Sequence, residues 1–174
     1  MKLSRIFFCL IILQFFTQFT SANTNFYFVN IDYIVNNSIA GNELKNKISS
    51  LINNQNEKFI KIENEFKNKE KNLINQKNIL EQKVFNEELN KLKQSIKDYS
   101  SEKKNTIDKI NQENKTGLSI LTNEINTILS EYSLENNIDI ILNKNTVILG
   151  KKELDITNEI LTKLNKKIKK INYK

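Results

Sequence analysis

Residues 73–92 read LINQKNILEQKVFNEELNKL, and how this stretch is taken decides the fold. On its N-terminal side Leu44, Ile48, Leu51, Phe59, Ile62, Phe66, Leu73, Leu80 and Val84 fall largely on spacings of three and four among Lys, Glu, Asn and Gln. On its C-terminal side Leu89, Leu92, Ile96, Tyr99, Ile107, Ile110, Leu118, Leu121, Ile125, Ile128 and Tyr132 resume the pattern. Each side is an amphipathic helix with a narrow apolar stripe, the kind that packs along another helix. The stripes lose register across residues 80–89, around the doublets Ile79-Leu80 and Val84-Phe85. Two solutions fit: one very long helix with a stutter, or two helices folded back at a turn near 81–87. Neither Gly nor Pro stands there to choose between them. Two helices of this length would each reach ~65 Å at ~1.5 Å per residue.

The stripe is thin and interrupted. Gln55, Lys103 and Asn114 stand where apolar residues are expected, and polar residues in such a seam lower stability and set register. Gly117 lies inside the second helix, where glycine costs about 1 kcal/mol against alanine. It is a candidate bend of the arm, or a point of close packing.

Outward from the helices the period changes. Phe26–Asp32, FYFVNID, is aromatic and β-branched and reads as a strand, and helical spacing begins from about Gly41. Ile138–Leu142 and Thr146–Leu149, joined by Asn143-Lys-Asn145, read as a β-hairpin. Asp155-Ile-Thr-Asn-Glu159 then opens a last amphipathic helix with Ile156, Ile160, Leu161, Leu164, Ile168 and Ile171 on its apolar face, capped by Asp155 or Thr157. The expected organisation is a body segment over 23–40, a helical arm over 41–136, and a hairpin plus helix over 137–174 that completes the body. The fold class is α+β, mostly α. So small a sheet is not stable alone, which points to a core shared between chains.

Residues 1–22 are expected to lie outside the fold. Lys2 and Arg5 precede an apolar run, Ile6–Phe16, broken only by Gln14, and Thr20-Ser21-Ala22 supplies small residues ahead of Asn23. This is the pattern of a cleaved secretory signal peptide, too short for a membrane span of ~20 residues. Cleavage would remove Cys9, the single cysteine, so the exported chain would fold without disulfides, as suits a bacterial envelope.

Composition narrows the function. The chain of 174 residues has no His, no Pro, no Trp and 3 Gly. A Ser-His-Asp triad, a Cys-His dyad and a His-rich zinc site are therefore excluded, and a Gly-rich phosphate loop finds no room. Glu63/Glu65 and Glu87-Glu88 are too close in sequence to converge from one helix. We expect no enzyme, no catalytic residue, no metal and no cofactor. The formal net charge is +7. Acids prevail over 105–143, and lysines prevail over 144–174, where Lys163, Lys166, Lys167, Lys169 and Lys170 share one helix. That helix is either a solvated face or a weak attractor of anionic lipid or lipopolysaccharide. Nucleic acid is not an expected partner, since Arg5 is the only arginine.

Three passages carry a family resemblance: Phe28–Gly41 (FVNIDYIVNNSIAG), Gln76–Leu92 (QKNILEQKVFNEELNKL), and the ending Ile138–Asn143, Val147–Leu149 and Leu154–Leu161 (LDITNEIL). Together they resemble the Skp (OmpH-like) family of periplasmic chaperones over about residues 26–172. The resemblance implies that the helices fold back and that three chains join their strands in a homotrimer with projecting arms. It implies an ATP-independent holdase in the periplasm of a Gram-negative bacterium, holding unfolded outer-membrane proteins between the arms. On that reading Lys83, Val84 and Phe85 are the candidate client-contacting residues of the tip. The competing expectation is a structural coiled-coil spacer or adaptor of the envelope.

Overall fold

The computed structural model describes residues 24–173; the expected signal peptide lies outside the described residues. The chain runs through strand β1 (Phe26–Val29), helices α1 (Ile31–Asn37), α2 (Ile39–Asn75) and α3 (Gln82–Glu135), strand β2 (Ile140–Asn143) and helix α4 (Thr157–Lys167). Short 3₁₀ turns occupy Lys144–Thr146 and Lys152–Leu154.

The N-terminal strand is shorter than the sequence suggested. Asn30 ends it: its side-chain oxygen accepts from Tyr33 N at 2.8 Å and caps α1. Ser38 then separates α1 from α2, its hydroxyl accepting from Gly41 N at 3.0 Å. Helical structure therefore begins ahead of Gly41, because two side-chain caps satisfy backbone donors that would otherwise be orphaned.

The arm folds back. The turn spans residues 76–81, a few positions before the expected 81–87. Ile79 N and Leu80 N both donate to the Gln76 carbonyl at 2.9 Å. Among the described residues only Asn137 has a left-handed backbone, so the tip turn requires neither Gly nor Pro. At the other end of α3, Asn137 (φ 51°) makes that left-handed exit, and Ile138 N donates to the Ser133 carbonyl at 2.9 Å. This is the Schellman arrangement, with asparagine in glycine's usual place.

The returning chain lays β2 beside β1. The pair is parallel, with Phe26 opposite Ile140 and Val29 opposite Asn143. Parallel strands need a long crossover, and here the whole arm supplies it. Asn25 aligns the strands: its N–H donates to Asp139 Oδ2 at 2.8 Å and its amide to the Asn137 carbonyl at 3.1 Å.

The expected C-terminal hairpin is not formed within the chain: Thr146–Leu149 is not a strand. The Asn143 carboxamide accepts from Asn145 N at 3.0 Å, Thr146 Oγ1 donates to the Asn143 carbonyl at 2.7 Å, and Asn145 reaches Asp32 at 2.9 Å. These bonds wind the connection into a 3₁₀ turn instead of reversing it. The chain then passes over Phe28, so closely at Gly150 that a Cβ there would lie 2.6 Å from the ring.

The last helix is also shorter than its apolar pattern. Asp155 Oδ1 accepts from Thr157 N at 3.1 Å at its start, and the helix ends at Lys167. Ile168 is extended, and Ile171 reaches the core by that route. The core lies where the arm's root meets the body: Val29, Ile34, Leu44, Leu121, Ile125, Ile128, Ile160 and Leu164 are all buried.

Candidate functional site

The arm changes character along its length. At its root Leu44 and Ile48 of α2 pack with Ile110, Leu121 and Ile125 of α3. Further out only Phe59 is buried, and from residue 60 to residue 109 no side chain is. Two facing helices with a one-residue-wide seam cannot exclude water on both sides, so the distal arm is surface throughout.

One polar knot holds its middle. The Tyr99 ring meets Phe59 edge-on at 6.2 Å and Phe66 at 5.4 Å. Its hydroxyl donates to Glu63 Oε1 at 3.0 Å, and Lys103 Nζ reaches the same oxygen at 2.6 Å. The Lys103 ammonium, then the Tyr99 hydroxyl, hold the Glu63 carboxyl below its ordinary range. Burial, with Glu63 beside it, pushes the Tyr99 hydroxyl up to about 12. Lys103 thus interrupts the apolar stripe because Glu63 lies across the seam from it.

The tip presents apolar side chains to solvent among lysines. Lys83 and Val84 are exposed and Phe85 is half-buried, all in the first turn of α3. Ile79 (80% exposed) in the turn and Ile74 (61%) at the end of α2 are exposed as well. Sequence reasoning did not assign Ile74 and Ile79 to the site, although the Ile79-Leu80 doublet falls out of the helical stripe and carried the signal. Behind the tip a shallow cleft between α2 and α3 is lined by Lys69, Leu73, Gln76, Glu88, Lys91 and Leu92. Gly117 sits far from the tip, buried in an unbroken α3, where a Cβ would lie 2.7 Å from Leu44 Cδ1. It lets the two arm helices approach.

The body carries a second apolar surface. Among the described residues β2 has one neighbour, β1, and its other edge is unpaired. Ile140 and Leu142 are exposed along it, and Ile148 (103%) and Leu149 (92%) project from the following loop. In the basic C-terminal helix, two of the lysines are answered within the chain. Lys163 pairs with Glu135 at 2.8 Å, and Lys167 lies 3.4 Å from Glu124 and 3.7 Å from Glu131. The acidic stretch of α3 and the basic α4 face each other.

Among the described residues no group of acids could hold a metal ion, and no helix is long and apolar enough to cross a membrane. The described residues thus form a small α/β body carrying one long helical hairpin. The chain belongs to the OmpH-like outer membrane protein family, whose model matches residues 25–164. The fold is similar to the crystal structure of a protein from Caulobacter crescentus CB15 assigned as an outer membrane chaperone (OmpH-like). The TM-score is 0.80 at 17% identity, covering 87% of this chain and 90% of that one. No curated protein matches the chain.

Proposed function

We propose that this protein is an ATP-independent holdase of the periplasm, exported by a cleaved signal peptide. As a homotrimer it would hold unfolded outer-membrane proteins between its arms and prevent their aggregation in transit. The observation that carries the reading is the distal arm, some fifty residues without a buried side chain, ending in exposed Ile74, Ile79 and Val84 among lysines. A nascent β-barrel exposes alternating strands whose edges pair with one another. An arm that contacts them weakly at many points delays that pairing and still lets go, and three arms add avidity without a defined pocket. Family membership and the chaperone assignment of the Caulobacter protein support the same reading.

In this mechanism Lys83, Val84 and Phe85 contact the client together with Ile74 and Ile79. The open edge of β2 and the loop bearing Ile148 and Leu149 supply the contact between copies. Anionic lipid or lipopolysaccharide is at most a weak partner of the C-terminal helix, whose Lys163 and Lys167 are already engaged by acids of α3. The test dilutes a urea-unfolded outer-membrane β-barrel into buffer with and without residues 23–174, without ATP. Turbidity reports aggregation and light scattering the mass of any soluble complex. Suppressed aggregation with a complex of three chains per client is the expected result. A stable oligomer that leaves aggregation unchanged rejects the holdase and favours a structural spacer of the envelope.

A further inference from the structure

The family match ends at residue 164 and α4 ends at Lys167, but the chain continues over the root of the arm. Ile168 turns out of the helix with an extended backbone (φ −136°, ψ 141°). Ile171 then enters the main core, 7% exposed. Two residues further on, the Tyr173 ring lies under the Lys47 ammonium of α2 at 4.2 Å. The Tyr173 hydroxyl approaches Gly117 of α3, where a Cβ would stand 2.8 Å from it. Lys47 is itself tied to α3 through Glu113 at 2.6 Å. One aromatic side chain thus meets both arm helices at the same level, and its backbone is continuous with the body through α4.

We infer that Ile168–Tyr173 is a strap that binds the root of the arm to the body and limits how far the arm swings. The reading does not depend on what the arm holds. The two arm helices leave the core around Ile48 of α2 and Ile110 of α3, one to two turns beyond the level of Tyr173, and further out only the thin seam with its Glu63–Lys103 pair joins them. A tether across both helices, fixed to a third element, removes the pivot that such a junction would otherwise have. The strap is held by Ile171 and Tyr173, with Ile168 half-buried against the core edge, and an open groove lined by Thr116, Ile120, Asn123, Glu124, Ile168 and Ile171 runs along it. Few anchors over an incompletely filled groove place it among the segments that open locally without global unfolding. Gly117 is explained in the same terms: any side chain there would displace both Leu44 and Tyr173.

Amide hydrogen exchange followed by mass spectrometry on the exported chain tests this, comparing it with Tyr173→Ala, Ile171→Ala and a control, Asn172→Ala. Release of the strap is expected to speed exchange about tenfold or more at the arm's root, residues 42–51 and 112–121, in the first two variants. The body core over 125–132 and 156–164 should be unchanged in Tyr173→Ala, and the control should match the parent throughout. Unchanged exchange at the root in both variants overturns the inference. So does a rise in Tyr173→Ala spread equally over root and body core, because the tail would then be an inseparable part of the core.

Discussion

Glu63 and Gly41 show how single residues constrain the arm. Lys103 and Tyr99 favour the ionised form of Glu63, so its folded pKa lies below the ordinary 4.5. For a depressed acid, stability is fully present above the unfolded value and is lost as pH falls through the folded one. Glu63→Gln is therefore expected to lower the melting temperature at pH 7, with the difference from the parent shrinking toward pH ~3. Circular dichroism melts at the two pH values check this, and an equal difference at both would show that the carboxylate's charge is irrelevant. Gly41 makes a different demand. A Cβ there would lie 1.8 Å from the Val35 carbonyl oxygen and 2.8 Å from Ser38 Oγ, because α1 and α2 abut at a single residue. Gly41→Ala is expected to destabilise the chain by about 2–4 kcal/mol through displaced backbone, measured by urea unfolding.

At the scale of elements, stability and length are separated. The arm helices are long, yet their buried side chains gather at one end, with Leu121 and Ile125 wholly buried in the core and Leu92 only half-buried near the tip. Ile125→Ala should cost about 2–5 kcal/mol, as core truncations do, and Leu92→Ala less than about 1 kcal/mol, as near the surface. Urea unfolding of the two variants tests the gradient, and equal losses would contradict it. The tip turn was legible as a loss of register between Leu80 and Leu89. Its position was not, because a turn built without a left-handed residue leaves no Gly, Pro or Asn-Gly marker. The expected hairpin over 138–149 failed for a related reason. Asn143 and Asn145 are turn formers, but which turn they form depended on Asp32, distant in sequence and adjacent in space.

At the scale of the molecule, the body leaves apolar surface uncovered. Two strands of four residues expose Ile140 and Leu142, and the adjacent loop exposes Ile148 and Leu149. These residues have the β-branched and apolar character that made the region read as paired strands, and on the proposed reading a second copy covers them. If the chain assembles as proposed, Ile148→Asp combined with Leu149→Asp is expected to shift it from trimer toward monomer in sedimentation equilibrium, while helical circular dichroism of the arm is retained. A variant that remains fully trimeric would place the contact elsewhere.

The one-dimensional pattern alone determined the helical arm, its narrow seam and the strand at each end. All of these follow from local periodicity and composition, which act over a few residues at a time, while the family resemblance rested on particular passages of sequence. Tertiary structure decided where the arm turns, that β2 pairs in parallel with β1 and not with the segment after it, and why Lys103 sits in the stripe. It also decided that Gly117 seats Leu44 and Tyr173, and that the last apolar residues leave the helix to cross the arm's root. Apart from the tip turn, each depends on groups that meet across long stretches of chain, such as the 40 residues between Glu63 and Lys103 and the 114 between Phe26 and Ile140, and no local period records such a meeting.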